Sequence, residues 1–88
     1  MLHLVLVNYK HNQEFIKAFG EHLKALRIEK GFVSRRGFAS HADIEYKQLS
    51  LIETGTINTT ISTLHSLAEA LGVHPRELLD FKLPKNKK

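Results

Sequence analysis

Apolar positions in this chain follow two rhythms. Over residues 1–8, Met-Leu-His-Leu-Val-Leu-Val-Asn, they crowd together, with β-branched Val5 and Val7 among them. That run predicts a short N-terminal strand. No second strand signal follows, and a lone strand leaves its ladder groups unpaired. The segment therefore pairs with its counterpart in a second copy, packs irregularly or frays. From Asn12 the period becomes helical: Phe15, Phe19, Leu23 and Leu26 recur at i, i+4, i+8 and i+11, with Lys17, Glu21, Lys24 and Glu29 on the other face. Gly31 is placed to end this first helix.

Ser34 is a good N-cap for a short second helix, Arg35 to His41. Ala42-Asp43-Ile44 reads as a tight turn, and Glu45 to Thr54 as a third helix with Leu49 and Ile52 inward and Gly55 as its stop. Thr56 to Thr59 form a polar loop, and Thr59 or Thr60 caps a fourth helix, Ile61 to Leu71, ended by Gly72. Leu64, Leu67, Ala68 and Leu71 give that helix its inward face. Pro75 sits near the first position of a short fifth helix, where a missing N–H costs nothing. Leu78, Leu79 and Phe81 then close the core. Five helices within about 70 residues, joined by short loops, predict a compact all-α bundle. The expected division is an N-terminal arm (1–11), one helical domain (12–81) and a tail (82–88).

Composition narrows the chemistry. The chain has 88 residues, 42% of them apolar, enough for one small core but not for a deep cleft between domains. It has no cysteine, which excludes disulfides, a Cys-ligated zinc and a thiol nucleophile. The longest apolar run, Leu4 to Val7, is far short of the roughly 18 residues that span a bilayer. It is also too short for a signal-peptide core, so a soluble cytoplasmic module without membrane contact is expected. Six histidines show no i, i+4 pair and no H-E-x-x-H pattern, and the serines have no activating constellation. No metal, cofactor, effector site or enzymatic activity is expected.

The net charge of +4 looks like a sign of an anionic partner until it is located. Residues 1–81 carry nine basic and nine acidic side chains, so the excess lies in Lys82, Lys85, Lys87 and Lys88. The tail reads as a solvated end, with loose phosphate contact as the alternative. Any anion-binding role of the neutral body must rest on local placement.

That placement comes from two short helices joined by a tight turn, Ser34 to Thr54. A helix–turn–helix sets its second helix in the DNA major groove. Small Ala39 and Ala42 let the helices cross closely, Ile44 anchors the turn, and Leu49 and Ile52 face inward. Tyr46, Lys47, Gln48 and Ser50 are left on the other side.

Four segments carry a resemblance: Leu23-Lys24-Ala25-Leu26-Arg27, Phe38-Ala39, Leu49-Ser50-Leu51-Ile52-Glu53-Thr54-Gly55, and Thr63 to Val73. In this order and spacing, from about Phe19 to Phe81, the chain resembles the phage repressor/Cro-like (XRE) helix–turn–helix family. The resemblance implies a five-helix lambda-repressor-like domain. It also implies a sequence-specific transcriptional regulator, acting as a homodimer on double-stranded DNA with two half-sites. Tyr46, Lys47 and Gln48 match base-reading positions. Lys47 suits guanine O6 and N7, and Gln48 suits adenine. Arg35, with Ser34 and Arg36 beside it, matches a phosphate contact at a helix N-terminus. The spacing from Gly31 to Ala39, one residue longer than is usual in the family, lets Arg35 and Arg36 trade roles. Thr54, Thr56, Asn58 and Thr59 match a loop that holds the sugar-phosphate backbone. Glu45 replaces the usual Ser or Thr cap and suits a cytosine amino group. Ser50 lies on the reading face, and Leu51 suits a thymine methyl or a protein interface. Arg27 and Glu53 match a buried salt bridge that locks helix 1 to helix 3. The alternative function is a protein-binding module of the same fold, antitoxin-like or an adaptor. A dimer interface must come from residues 1–12, from helix 5, or from both.

Overall fold

The computed structural model describes the backbone of residues 2–83, with side chains from Asn12 onward. Of the basic tail it includes Lys82, which is exposed; Lys85, Lys87 and Lys88 lie outside the described residues. Four α-helices follow one another: α1 (Leu2–Glu29), α2 (Arg35–Ala42), α3 (Tyr46–Glu53) and α4 (Ile61–Leu71). A 3₁₀ turn, Pro75–Leu79, stands where the fifth helix is expected. His74 caps that turn through Nδ1, which accepts from the Arg76 N–H at 3.0 Å.

The expected strand is absent from the described residues: Leu2 onward is the beginning of α1. The correction has a physical reason. An isolated strand satisfies none of its backbone groups, whereas a helix satisfies them internally. Extending a helix already nucleated downstream fixes one residue per hydrogen bond gained. Leucine is a good helix former and valine costs only tenths of a kcal/mol, about 0.5 or less. Asn12 is therefore not a boundary of secondary structure. The 28 residues of α1 give the molecule its longest dimension, 43 Å against 23 and 20 Å.

The core joins all the elements. Phe19 and Leu23 of α1 meet Phe38 and Ala39 of α2, Leu49 and Ile52 of α3, Leu67, Ala68 and Leu71 of α4, and Leu78 of the 3₁₀ turn. Two expected core residues lie further out: Phe15 is 38% and Leu79 48% exposed. Phe15 instead packs against Phe81, ring centroids 5.2 Å apart, and His22 reaches the Glu77 carbonyl at 2.7 Å. Thr60, not Thr59, caps α4, its Oγ1 accepting from the Thr63 N–H at 3.1 Å.

Two glycines let α1 and α3 touch along their backbones. A Cβ on Gly20 would overlap the Ile52 carbonyl oxygen and stand 2.7 Å from that of Glu53. Gly55, at φ +75°, turns the chain out of α3, and a Cβ there would lie 2.6 Å from Lys17 Cα. Composition offered one signal for Gly20, an unexplained glycine in a strong helical pattern.

Candidate nucleic-acid interface

The two-helix unit is held by capping at both ends of α2. Ser34 Oγ accepts from the Gly37 N–H at 2.9 Å. Asp43 closes the helix in the left-handed region at φ 57°, its N–H returning to Ala39 and Ser40 carbonyls. Ile44 N–H then donates to the Ala39 carbonyl at 3.0 Å, which sets the entry into α3. Glu45 takes the N-cap position of α3 without a side-chain cap bond and is exposed.

Beneath this unit lies an ion cluster. Arg27 is 2% exposed; its Nε donates to Glu53 Oε2 at 2.7 Å and its Nη2 to Oε1 at 3.1 Å. Its Nη1 donates to the carbonyls of Phe32 and Val33, at 2.7 and 2.9 Å. One guanidinium thus joins α1, the loop before α2, and the end of α3. Such a bidentate, fully bonded pair tolerates burial, where a bare charge does not.

Arg35 enters the same cluster. Its Nε donates to Glu53 Oε1 at 2.9 Å and its Nη1 to Ser50 Oγ at 3.2 Å. The side chain remains 25% exposed. It is therefore held against α3 rather than extended alone from the helix end. Arg36 takes the outward position, its Cζ 4.1 Å above the Tyr46 ring. The roles of these neighbours divide because consecutive helical residues point about 100° apart.

On α3, Leu49, Ile52 and Glu53 are buried. Helical geometry therefore places Lys47 at the centre of the opposite face, flanked by Leu51 and Thr54 a turn away. Lys47 and Thr54 are exposed, and Leu51 is half-buried. Tyr46 and Ser50 form the edge nearest α2, through the Arg36 stack and the Arg35 bond. Gln48, also half-buried, stands at the other edge. Thr54, Thr56 and Asn58 are exposed after α3. The Thr54 hydroxyl reaches the Ser50 carbonyl at 3.0 Å and the Thr56 hydroxyl at 2.8 Å. The single Thr54 proton goes to that backbone carbonyl, so Thr56 is the donor between the two hydroxyls, and an anion contact by Thr56 would have to draw its proton away from Thr54.

Thr59 departs from expectation. Its Oγ1 is buried and has no hydrogen-bond partner among the described residues. Its residue lines an apolar cleft with Phe15, Ile16, Phe19, Ile57, Ile61, Leu64 and Leu79, and Asn58 reaches the same rim. Thr59 is turned away from the outward face of α3 because the loop must fold back: the N–H groups of Thr56 and Ile57 both reach the Leu51 carbonyl, at 2.9 and 3.4 Å.

Among the described residues, no helix is long and apolar enough to cross a membrane. Two short helices joined by a tight turn, the first tied to the second by Arg35–Glu53 and the second locked to α1 by Arg27–Glu53 with its polar side chains outward, define a helix–turn–helix protein. The chain belongs to the family described as "Helix-turn-helix domain", which matches residues 20–83. It is similar to the control protein C.BamHI of Bacillus amyloliquefaciens, 35% identical over 63 residues, which are 72% of this chain and 78% of that protein. It is also similar to the control protein C.MunI of Mycoplasma sp., 37% identical over 60 residues, 68% of this chain and 81% of that one. Among solved structures, the restriction-modification controller protein C.AhdI from Aeromonas hydrophila superposes with a TM-score of 0.67 at 32% identity. That superposition covers 72% of this chain and 94% of the other.

Proposed function

We propose that this chain is a sequence-specific DNA-binding transcriptional regulator, with α3 in the major groove of an operator half-site. The observation that carries the reading is the orientation of α3. Its apolar residues and Glu53 are buried, and Lys47 stands outward between Leu51 and Thr54. Lys47 and Gln48 suit base edges, Ser50 and Leu51 follow the same groove, and Glu45 faces a cytosine amino group. Ser34 and Arg36 at the start of α2, with Thr54, Thr56 and Asn58 after α3, suit the phosphates on either side. Arg35 contributes by holding Ser50, and its partly exposed side chain suits a phosphate contact beside it. The similarity to a restriction-modification controller protein and to two control proteins supports control of a restriction–modification system as the biological setting.

The protein acts as a homodimer in this reading, because one such unit covers too few base pairs for genomic specificity. Half-site centres are expected about 34 Å apart, or a multiple of that. The apolar cleft supports the 3₁₀ turn and the start of α4 as the interface: Ile61 is 81% and Leu79 48% exposed beside it. A cytoplasmic location and the lack of catalytic activity follow from the same reading.

Selection from a random-sequence duplex library tests the function. Enrichment of a two-fold symmetric sequence, with binding that weakens steeply in salt, is expected. Lys47→Ala should relax the preference at one base pair of each half-site, by roughly 1–3 kcal/mol. No enriched duplex, together with a stoichiometric protein partner covering α3, would establish the adaptor or antitoxin-like alternative instead.

A further inference from the structure

Tyr46 and Arg36 are joined by a contact between two exposed side chains, one on α3 and one on α2. Arg36 is exposed and, among the described residues, makes no hydrogen bond or ion pair. Its only specific partner there is the face of Tyr46, 39% exposed, at the first position of α3. Neighbouring Arg35 is bound to Glu53 and Ser50 and cannot serve the same place at the same time. With Cζ 4.1 Å over the ring and no hydrogen bond to the side chain among the described residues, the guanidinium keeps N–H donors free for a ligand. The stack also narrows the orientations of a long, flexible side chain before any ligand arrives.

We propose that Tyr46 is a positioning residue whose ring holds the Arg36 guanidinium at the junction of α2 and α3, so that Arg36 grips a paired acceptor on the DNA. This inference rests on the DNA-binding reading and replaces the base-reading role that the family resemblance implies for Tyr46. The ring acts through the arginine, and a side chain rooted on α2 joins the reading face of α3. A planar fork fits two acceptor pairs on a duplex, the oxygens of a phosphate or O6 and N7 of guanine.

The test is a double-mutant cycle on a duplex that the wild-type protein enriches from a random library. Arg36→Ala should lower affinity roughly ten- to a hundredfold. Tyr46→Leu should lower it less, and the double variant should bind about as Arg36→Ala does. The coupling should be about two- to fivefold, the size of an exposed cation–π contact. Tyr46→Phe should keep most of the affinity, because the ring remains. A loss uniform across duplexes, with the salt slope reduced by about one, assigns the acceptor as phosphate. A loss confined to duplexes with one particular guanine assigns the base edge; either pattern supports the inference. Additive losses overturn it, as does Tyr46→Phe binding as poorly as Tyr46→Leu, which would make the hydroxyl a direct reader. If the wild-type protein enriches no duplex, the DNA-binding reading falls and this inference with it. The free protein supplies a readout independent of DNA. The Arg36 δ-methylene protons should be shifted upfield by the ring and return to ordinary positions in Tyr46→Leu. Ordinary positions in the wild type would overturn the stack itself.

Discussion

Arg35 Nε lies 2.9 Å from Glu53 Oε1, on the same carboxylate whose Oε2 receives Arg27 Nε at 2.7 Å. One fully buried acid thus neutralises an arginine from α1 and draws in another from α2, fixing the position of both helices relative to α3. Removing that acid leaves two guanidinium groups without their anion. Glu53→Gln is expected to cost about 3–5 kcal/mol, read as a shift in the urea unfolding midpoint. Arg35→Ala should cost about 1 kcal/mol or less, since its side chain is partly solvated and Arg27 remains. Equal losses in the two variants would show that the carboxylate is not the shared centre of the cluster.

Gly20→Ala should destabilise the protein although alanine is the better helix former. Propensity favours alanine by about 1 kcal/mol, but the added methyl meets backbone carbonyls of Ile52 and Glu53. Backbone cannot yield as a side-chain tip does. A net loss of about 1–3 kcal/mol is expected from forcing α1 away from α3. A variant as stable as the parent in thermal unfolding would refute this close approach.

Ser34 separates capping from DNA contact. Aspartate caps a helix as well as serine, so Ser34→Asp should retain stability within about 0.5 kcal/mol. The same change sets a negative charge beside the proposed phosphate position and should weaken binding to every duplex. Ser34→Ala should do the reverse, costing about 1 kcal/mol of stability with a smaller effect on binding. Undiminished binding by Ser34→Asp would remove this helix end from the interface.

Ile61→Asp or Leu79→Asp should convert a dimer to a monomer in analytical ultracentrifugation while circular dichroism stays unchanged. Both side chains already meet solvent in the single chain, so a charge there disturbs little until two copies meet. Dimers that persist in both variants would place the interface elsewhere.

The helical parts of this protein were legible because their signals are local. The period from Phe15 to Leu26, the cap at Ser34 and the stops at Gly31, Gly55 and Gly72 each depend on a few neighbouring residues. The limits of α2, α3 and α4 follow them within a residue or so. Residues 1–8 were misread for the complementary reason. Their β-branched composition is a weak preference, and the absence of any partner strand together with a helix already running downstream outweighs it.

Sequence by itself determined the all-α class, the helix–turn–helix and the set of side chains available to its outward face, because periodicity and capping are properties of adjacent residues. Tertiary structure alone decided how those side chains divide. Arg35 and Arg36 are neighbours in the chain, yet one is held by Glu53 and Ser50 and the other lies on Tyr46. Thr59 turns inward beside the apolar cleft while Thr54 and Thr56 stay at the surface. Gly20 matters only because the backbone of α3 lies against it. Each outcome depends on distances between residues far apart in the chain, which follow from packing one helix on another and which no local pattern encodes.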